Sequence, residues 1–161
     1  MAIPLTGKRM HTREDSGLRL DRQLRWWHDD ALIEHPRIIE VFNCGLAVEE
    51  DGRYVLRVGN DWAYVQVEDA AYEVRAVDLS EGDRLSVRLS DRTAELLDVA
   101  SLAEEPDGGV LTCRVKGGRA KARFSRDAQF QLGERIEEDG GRLVLVAGER
   151  REPLPLAAPP A

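Results

Sequence analysis

The residues best suited to chemistry lie in one short basic run. Between Cys113 and Arg126 stand six basic side chains and no acidic one, in a chain of 161 residues with formal net charge −7. The rest divides into a basic head over 1–28 (six basic, three acidic), an acidic body over 29–112 (seven basic, twenty acidic) and a mildly acidic end over 127–161 (four basic, seven acidic). Within the run, Gly117-Gly118 suits a two-residue β-turn, because glycine takes positive φ without a Cβ clash. That turn sets Lys116 opposite Arg119, Arg114 opposite Lys121 and Thr112 opposite Arg123. Strand alternation then gathers Arg114, Lys116, Arg119, Lys121 and Arg123 on one face, with Cys113, Val115, Ala120 and Ala122 on the other. Like charges opposed across strands cost up to about 1 kcal/mol per pair. Either an external anion or carboxylates from the acidic body must offset that. Nucleic acid is disfavoured as the partner, since no stacking aromatics are interleaved with the cations and the chain as a whole is acidic.

Other groupings carry less. His28, Asp29, Asp30, Glu34 and His35 form the one cluster of metal-ligand types, but neither histidine sits at a known ligand spacing. The plainer reading makes His28 a half-buried strand residue and Asp29-Asp30 a turn. His11 falls in an N-terminal arm. Glu68 and Asp69 place two carboxylates at a strand end, where they could divide acid and base work or simply cap a turn. Trp26 and Trp27 are consecutive on a strand and must point to opposite faces. One of them belongs to the core; the other, taken as Trp27, either lines a groove for an apolar group or is covered by a neighbouring element. Cys44 and Cys113 read as buried structural thiols of a reducing cytoplasm. There is no nucleophile elbow, no phosphate-cradling Gly loop with its Lys, no Cys-x-x-Cys and no dinucleotide fingerprint. No catalytic residue, metal ligand or cofactor is therefore assigned.

The elements that position these residues follow from composition and pattern. The chain is 42% hydrophobic and 33% charged, too apolar for disorder, and no run approaches the roughly 20 apolar residues of a membrane span. The start lacks the apolar block of a secretory signal, so a soluble cytoplasmic protein is expected. Residues 1–16 read as a mobile arm and 155–161 as a loose tail. Leu18, Leu20, Leu24, Trp26 and His28 describe a hairpin around Asp21-Arg22-Gln23. Pro36 opens a helix carrying Ile38, Val41 and Phe42, and Gly45 is expected to close it in a left-handed cap. Asp51-Gly52 joins two strands, and a meander of strands continues to Leu89. After an acidic loop the order recurs: a hairpin over 110–124, a helix capped by Ser125 with Ala128, Leu132 and Ile136 on one face, a stop at Gly140-Gly141, and two short strands. The expected fold is α+β with antiparallel strands dominant. Two similar hairpin-helix-hairpin units are expected, in an N-terminal lobe over 17–98 and a C-terminal lobe over 99–154.

One ordered set of residues resembles a known family. Asp21, Trp26, His28, Ile33, Phe42 and Leu46 lead into Asp51-Gly52, Tyr54 and Leu56. Val67-Glu68-Asp69-Ala70 and Tyr72 follow, and later Ala122-Arg123-Phe124-Ser125-Arg126 with Phe130 and Leu132. Order and spacing over residues 18 to 154 are similar to the bacterial domain-of-unknown-function family 1285. The resemblance implies a two-lobed α+β protein with a repeated motif and no established activity, with signal transduction suggested from fold alone. Three features depart from the family pattern. Asp21-Arg22 replaces an Asp-Gly turn, Ala71 stands at a position favouring Pro, and Ala147–Glu152 replaces an aromatic motif near the C-terminus.

These readings converge on a non-enzymatic ligand- or partner-binding module. It would take an acidic protein segment or small anion through Arg114, Lys116, Arg119, Lys121 and Arg123, or an apolar group beside Trp27. Two alternatives stay open: a small enzyme using carboxylate and histidine chemistry near 28–35 or 68–69, and a structural subunit whose exposed Trp marks a homo-oligomer contact.

Overall fold

The computed structural model describes residues 12–156. It is α+β with antiparallel pairing dominant: two six-stranded sheets of similar arrangement and one small sheet. The chain divides into two compact units between Tyr72 and Glu73, rather than after residue 98. The expected meander is split there, because its last strands hydrogen-bond within the second sheet.

The first unit contains β1 (Leu18–Leu20), β2 (Trp26–His28), β3 (Ala31–Leu32), α1 (Pro36–Gly45), β4 (Leu46–Val48), β5 (Tyr54–Val58) and β6 (Asp61–Val67). Their order in the sheet is β3-β2-β1-β6-β5-β4, with β1 and β6 parallel. That pairing is invisible to local pattern, since it joins residues almost fifty apart. Residues 13–16, expected in the arm, are tied to β6 instead: Tyr64 N–H donates to Arg13 O at 2.8 Å, and the Ser16 hydroxyl donates to Tyr64 O at 2.6 Å. Residues 1–11, with His11, and 157–161 lie outside the described residues.

Helix α1 links the two edge strands β3 and β4. Pro36 occupies its first turn, where its missing N–H is no loss, and His35 Nδ1 accepts the Arg37 N–H at 3.2 Å. The Phe42 ring meets Trp26 edge-on at 5.3 Å, and Trp26 Nε1 donates to Asn43 Oδ1 at 2.8 Å. Gly45 does not form the expected left-handed cap; it is the last helical residue and the chain passes directly into β4. Glycine is required there for another reason: a Cβ would run into the carbonyl oxygen of Arg57 on β5.

The second unit's large sheet has the order β10-β11-β12-β7-β8-β9. Its strands are β7 (Tyr72–Ser80), β8 (Arg84–Leu89), β9 (Ala94–Leu96), β10 (Ala103–Glu104), β11 (Leu111–Val115) and β12 (Ala120–Phe124). Helix α2 (Arg126–Gly133) follows, capped as predicted by the Ser125 hydroxyl, which accepts the Ala128 N–H at 3.1 Å. Ala128 and Leu132 are buried, whereas Phe130 is 69% exposed. The helix ends at Gly133, and Gly140-Gly141 turns a hairpin instead, between β13 (Ile136–Asp139) and β14 (Arg142–Ala147). Ile136 thus lies on a strand and not on the helix. β15 (Arg150–Pro153) completes the three-stranded sheet.

The large sheet is strongly curled. Glu95, on the edge strand β9, accepts the backbone N–H of Lys116 just beyond β11, at 3.1 and 3.3 Å. Arg114 N–H donates to the hydroxyl of Ser101, in the short turn Val99–Ser101 that leads from β9 toward β10. In a flat sheet β9 and β11 would stand about 19 Å apart, four strand spacings. Only a sheet rolled until its edges meet permits these bonds.

Candidate functional site

The basic hairpin is β11 and β12, with Arg114 opposite Lys121 and Thr112 opposite Arg123 as predicted. Its turn is longer than the predicted two residues. Val115 and Ala120 form the last pair, and Lys116 (φ 56°), Gly117 (φ 69°) and Gly118 (φ 81°) all take positive φ, so Lys116 and Arg119 belong to the turn and not to the ladder. Two contacts tighten this turn. The Arg114 guanidinium donates to Gly118 O at 2.9 Å, and Arg119 Nε donates to Lys116 O at 3.1 Å.

The two faces of the hairpin differ sharply. Cys113, Val115, Ala120 and Ala122 are at most 1% exposed. Burial, with Glu95 and Asp98 nearby, pushes the Cys113 thiol up to about 12, so it is no nucleophile at neutral pH. Cys44, expected to be buried, is exposed. The opposite face of the hairpin carries the cations, and carboxylates of the same unit reach across it. Lys116 Nζ lies 2.6 Å from Asp91 Oδ2 and 2.8 Å from the Thr93 hydroxyl, and Lys121 Nζ lies 2.9 Å from Glu105 Oε1. Burial opposes the Asp91 carboxylate, but hydrogen bonds from Lys116 and from Thr93 outweigh it and hold its pKa below the ordinary aspartate value. Acidic side chains from the body therefore offset the like-charge repulsion read from the sequence. On β7, Glu73 stands near both Arg75 and Arg123; burial raises its carboxyl despite these two arginines. The cationic face thus continues from β12 onto β7.

Trp27 occupies a different setting, on the outer face of the first sheet. The guanidinium carbons of Arg19 and Arg25 lie 5.0 and 5.7 Å from its ring centroid. Its Nε1 donates to Asp21 Oδ2 at 2.8 Å. Asp21 is 4% exposed and also accepts from Gln23 N–H, Arg25 N–H and Arg25 Nε, each within 2.9 Å. Burial works against its charge, but the bonds from Trp27, Arg25 and Gln23 prevail and lower its pKa. One carboxylate therefore organises the β1–β2 turn. Arg19 also reaches Glu68 Oε1 at 2.7 Å and lines a neighbouring groove of about 710 Å³, together with Asp15, Asp29, Asp30 and Tyr64.

The structure does not bring the enzyme-type residues together. His28 is buried on β2, with Nε2 3.8 Å from Asp29 Oδ2, while His35 is committed to capping α1. Glu68 is engaged by Arg19 and by the Arg22 N–H. Among the described residues no group of three or more His, Cys, Asp or Glu is placed to hold a metal ion. No helix there is long and apolar enough to cross a membrane.

Neither a protein-family model nor a curated protein matches this chain. Solved structures do. A DUF1285 family protein from Silicibacter pomeroyi superimposes with TM-score 0.61 at 21% identity, over 86% of this chain and 79% of that one. The fold is that of the DUF1285 proteins. A second of them, from Shewanella baltica, gives TM-score 0.50 at 18% identity, over 69% of this chain and 85% of the other. Within the DUF1285 fold, Ala71 is buried at 3% exposure, and the segment from Ala147 to Glu152 forms the β14–β15 turn with its flanking strand residues.

Sequence reasoning did not foresee that Arg75, Arg88 and Arg92 lie close together. They are scattered through the acidic body, but the fold gathers them around one small cavity. A β-bulge brings Arg75 there, and nothing in the local pattern announces it.

Proposed function

We propose that the chain is a non-enzymatic binding module that takes an acidic protein segment or small anion on the cationic outer face of its second unit. The observation that carries this reading is the placement of Arg114 and Arg123 on the outward face of a hairpin whose reverse face is wholly buried. Strand alternation leaves those cations no inward alternative. Lys116 and Lys121 serve first to position the hairpin through Asp91 and Glu105, and the arginines supply the recognition surface. Arginine suits that role, since its planar fork matches carboxylate and phosphate oxygens two at a time. The arrangement of His28, His35 and Glu68 in separate structural duties favours binding over catalysis. A role in signalling is consistent with such a module and rests on the fold likeness alone.

The test is fluorescence anisotropy with a labelled Asp/Glu-rich peptide at about 50 mM salt, where surface electrostatics are weakly screened. Binding that weakens at least fivefold in the double variant Arg119→Ala, Arg123→Ala is the expected result. Absence of binding, or binding indifferent to both arginines and salt, overturns the reading.

A further inference from the structure

The two lysine contacts of the hairpin differ in kind. The Asp91 side chain retains 7% of its exposure, and its carboxylate is fixed by the Thr93 N–H (3.0 Å), the Thr93 hydroxyl (2.6 Å) and Lys116 Nζ (2.6 Å). A carboxylate held from three sides and taken out of water is a brace. The Glu105 side chain retains 24% of its exposure, and Lys121 Nζ at 2.9 Å is the one side-chain partner of its carboxylate among the described residues. An ion pair so well wetted is weak enough for another carboxylate to exchange with it.

The exchangeable contact lies within the cationic face itself. Lys121 stands opposite Arg114 on β11 and two residues before Arg123 on β12, so all three share the outward side of the hairpin. The residues around Glu105 read Glu104-Glu105-Pro106-Asp107. That run is an acidic segment of the same chemistry as the partner proposed for this face. A carboxylate of the chain's own therefore sits on the cation between two arginines of the recognition surface.

This segment is lightly attached between two firm ends. Upstream, Leu102 is 3% exposed, and the Ser101 hydroxyl accepts the Arg114 N–H at 2.9 Å. Downstream, Gln129 of α2 donates through Nε2 to Gly109 O at 2.6 Å and accepts the Leu111 N–H at Oε1 at 2.9 Å. Between these anchors lies β10, two exposed residues at the edge of the sheet. A turn follows it, closed by the Glu105 N–H donating to Val110 O at 2.8 Å. Short, exposed edge pairing belongs to the least stable parts of a fold.

We propose that residues 103–108 are an autoinhibitory strap, in which Glu105 holds Lys121 in the place of a carboxylate of the acidic partner segment, and that the partner binds by displacing it. The proposal rests on the reading of this face as the seat of an acidic segment and adds how access to it is regulated. The strap also selects among ligands. A single carboxylate that exchanges for Glu105 replaces one ion pair with another and gains little. A segment whose further carboxylates meet Arg114 and Arg123 offsets the lost pair and binds.

Fluorescence anisotropy of the full chain with the labelled Asp/Glu-rich peptide, at about 50 mM salt, tests the strap. The variants are Glu105→Gln, Lys121→Met, the two combined, and Glu104→Gln, which removes the same charge next door from a side chain without an ion pair among the described residues. The proposal expects Glu105→Gln to tighten the peptide about fivefold and Glu104→Gln to change it by less than about twofold. Lys121→Met should abolish the gain from Glu105→Gln. Hydrogen exchange supplies a readout that net charge does not move. Added peptide should speed exchange at the Glu105 amide and leave the Leu111 amide, held by Gln129, protected. Equal tightening by Glu104→Gln and Glu105→Gln, or a Glu105 amide that exchanges more slowly with peptide bound, overturns the strap. If peptide binding depends on Arg119 and Arg123 but ignores Glu105, the strap is wrong and the reading of the face stands. If the peptide binds no variant, both are wrong.

Discussion

Replacing Lys116 with methionine separates the hairpin's structural role from its charge. The Lys116 Nζ–Asp91 Oδ2 pair is 2.6 Å long, and the two side chains retain 20% and 7% of their exposure. Deleting one partner of a fully buried pair costs about 3–5 kcal/mol. Asp91 keeps its bonds from the Thr93 N–H (3.0 Å) and hydroxyl (2.6 Å). With these retained and Lys116 partly solvated, about 2 kcal/mol is the expected loss. For a unit of this size that lowers the melting temperature by about 8–16 °C. The sign of the pH dependence follows from Asp91, whose pKa is lowered in the fold. Its stabilising contribution is complete above the ordinary aspartate value of about 3.9 and is lost as pH falls through the lowered value. The deficit of Lys116→Met should therefore be full at pH 7 and shrink in acid below about pH 4. Urea unfolding of the wild type, Lys116→Met, Asp91→Asn and the double variant measures the coupling, expected at about 1–2 kcal/mol. A stability change under about 0.5 kcal/mol, or zero coupling with Asp91, refutes the seam described here.

Three further predictions concern the supporting structure. Asp21→Asn should cost about 1–3 kcal/mol at pH 7 and progressively less as pH falls below the ordinary aspartate value, with Trp27 emission shifted to the red; an unchanged spectrum and urea midpoint contradict it. Gly45→Ala should destabilise by about 1–3 kcal/mol in urea unfolding, because the new methyl meets the carbonyl of Arg57; Gly59→Ala, with positive φ in open space, should cost only about 1 kcal/mol. In the folded chain a thiol reagent should modify Cys44 rapidly and Cys113 only on unfolding, one thiol of two; two fast thiols are incompatible with the burial of β11.

Local chemistry made much of this protein readable before any coordinates. Pro36 and Ser125 start their helices as expected, and Asp51-Gly52 turns its hairpin, because caps and tight turns depend on neighbours in sequence. The hairpin register emerged because alternation of apolar and basic residues leaves one solution. Long-range relations did not emerge. The parallel pairing of β1 with β6 has no local signature, and the role of Gly45 depends on a strand twelve residues away. The carboxylates that meet the hairpin come from β9 and the turns flanking it and β10, brought close by the curl of the sheet. The bulge at Arg75 and the left-handed Arg92 are backbone events that leave no periodic trace.

The central claim is that the second unit binds an anion through its arginines. Arginine side-chain Nε–Hε resonances followed by NMR during titration with inorganic phosphate test it most directly. The account predicts the largest shifts at Arg114, Arg119 and Arg123, and silence at Arg19 and Arg25 around Trp27. Shifts confined to the first unit, or none at millimolar phosphate, would contradict it.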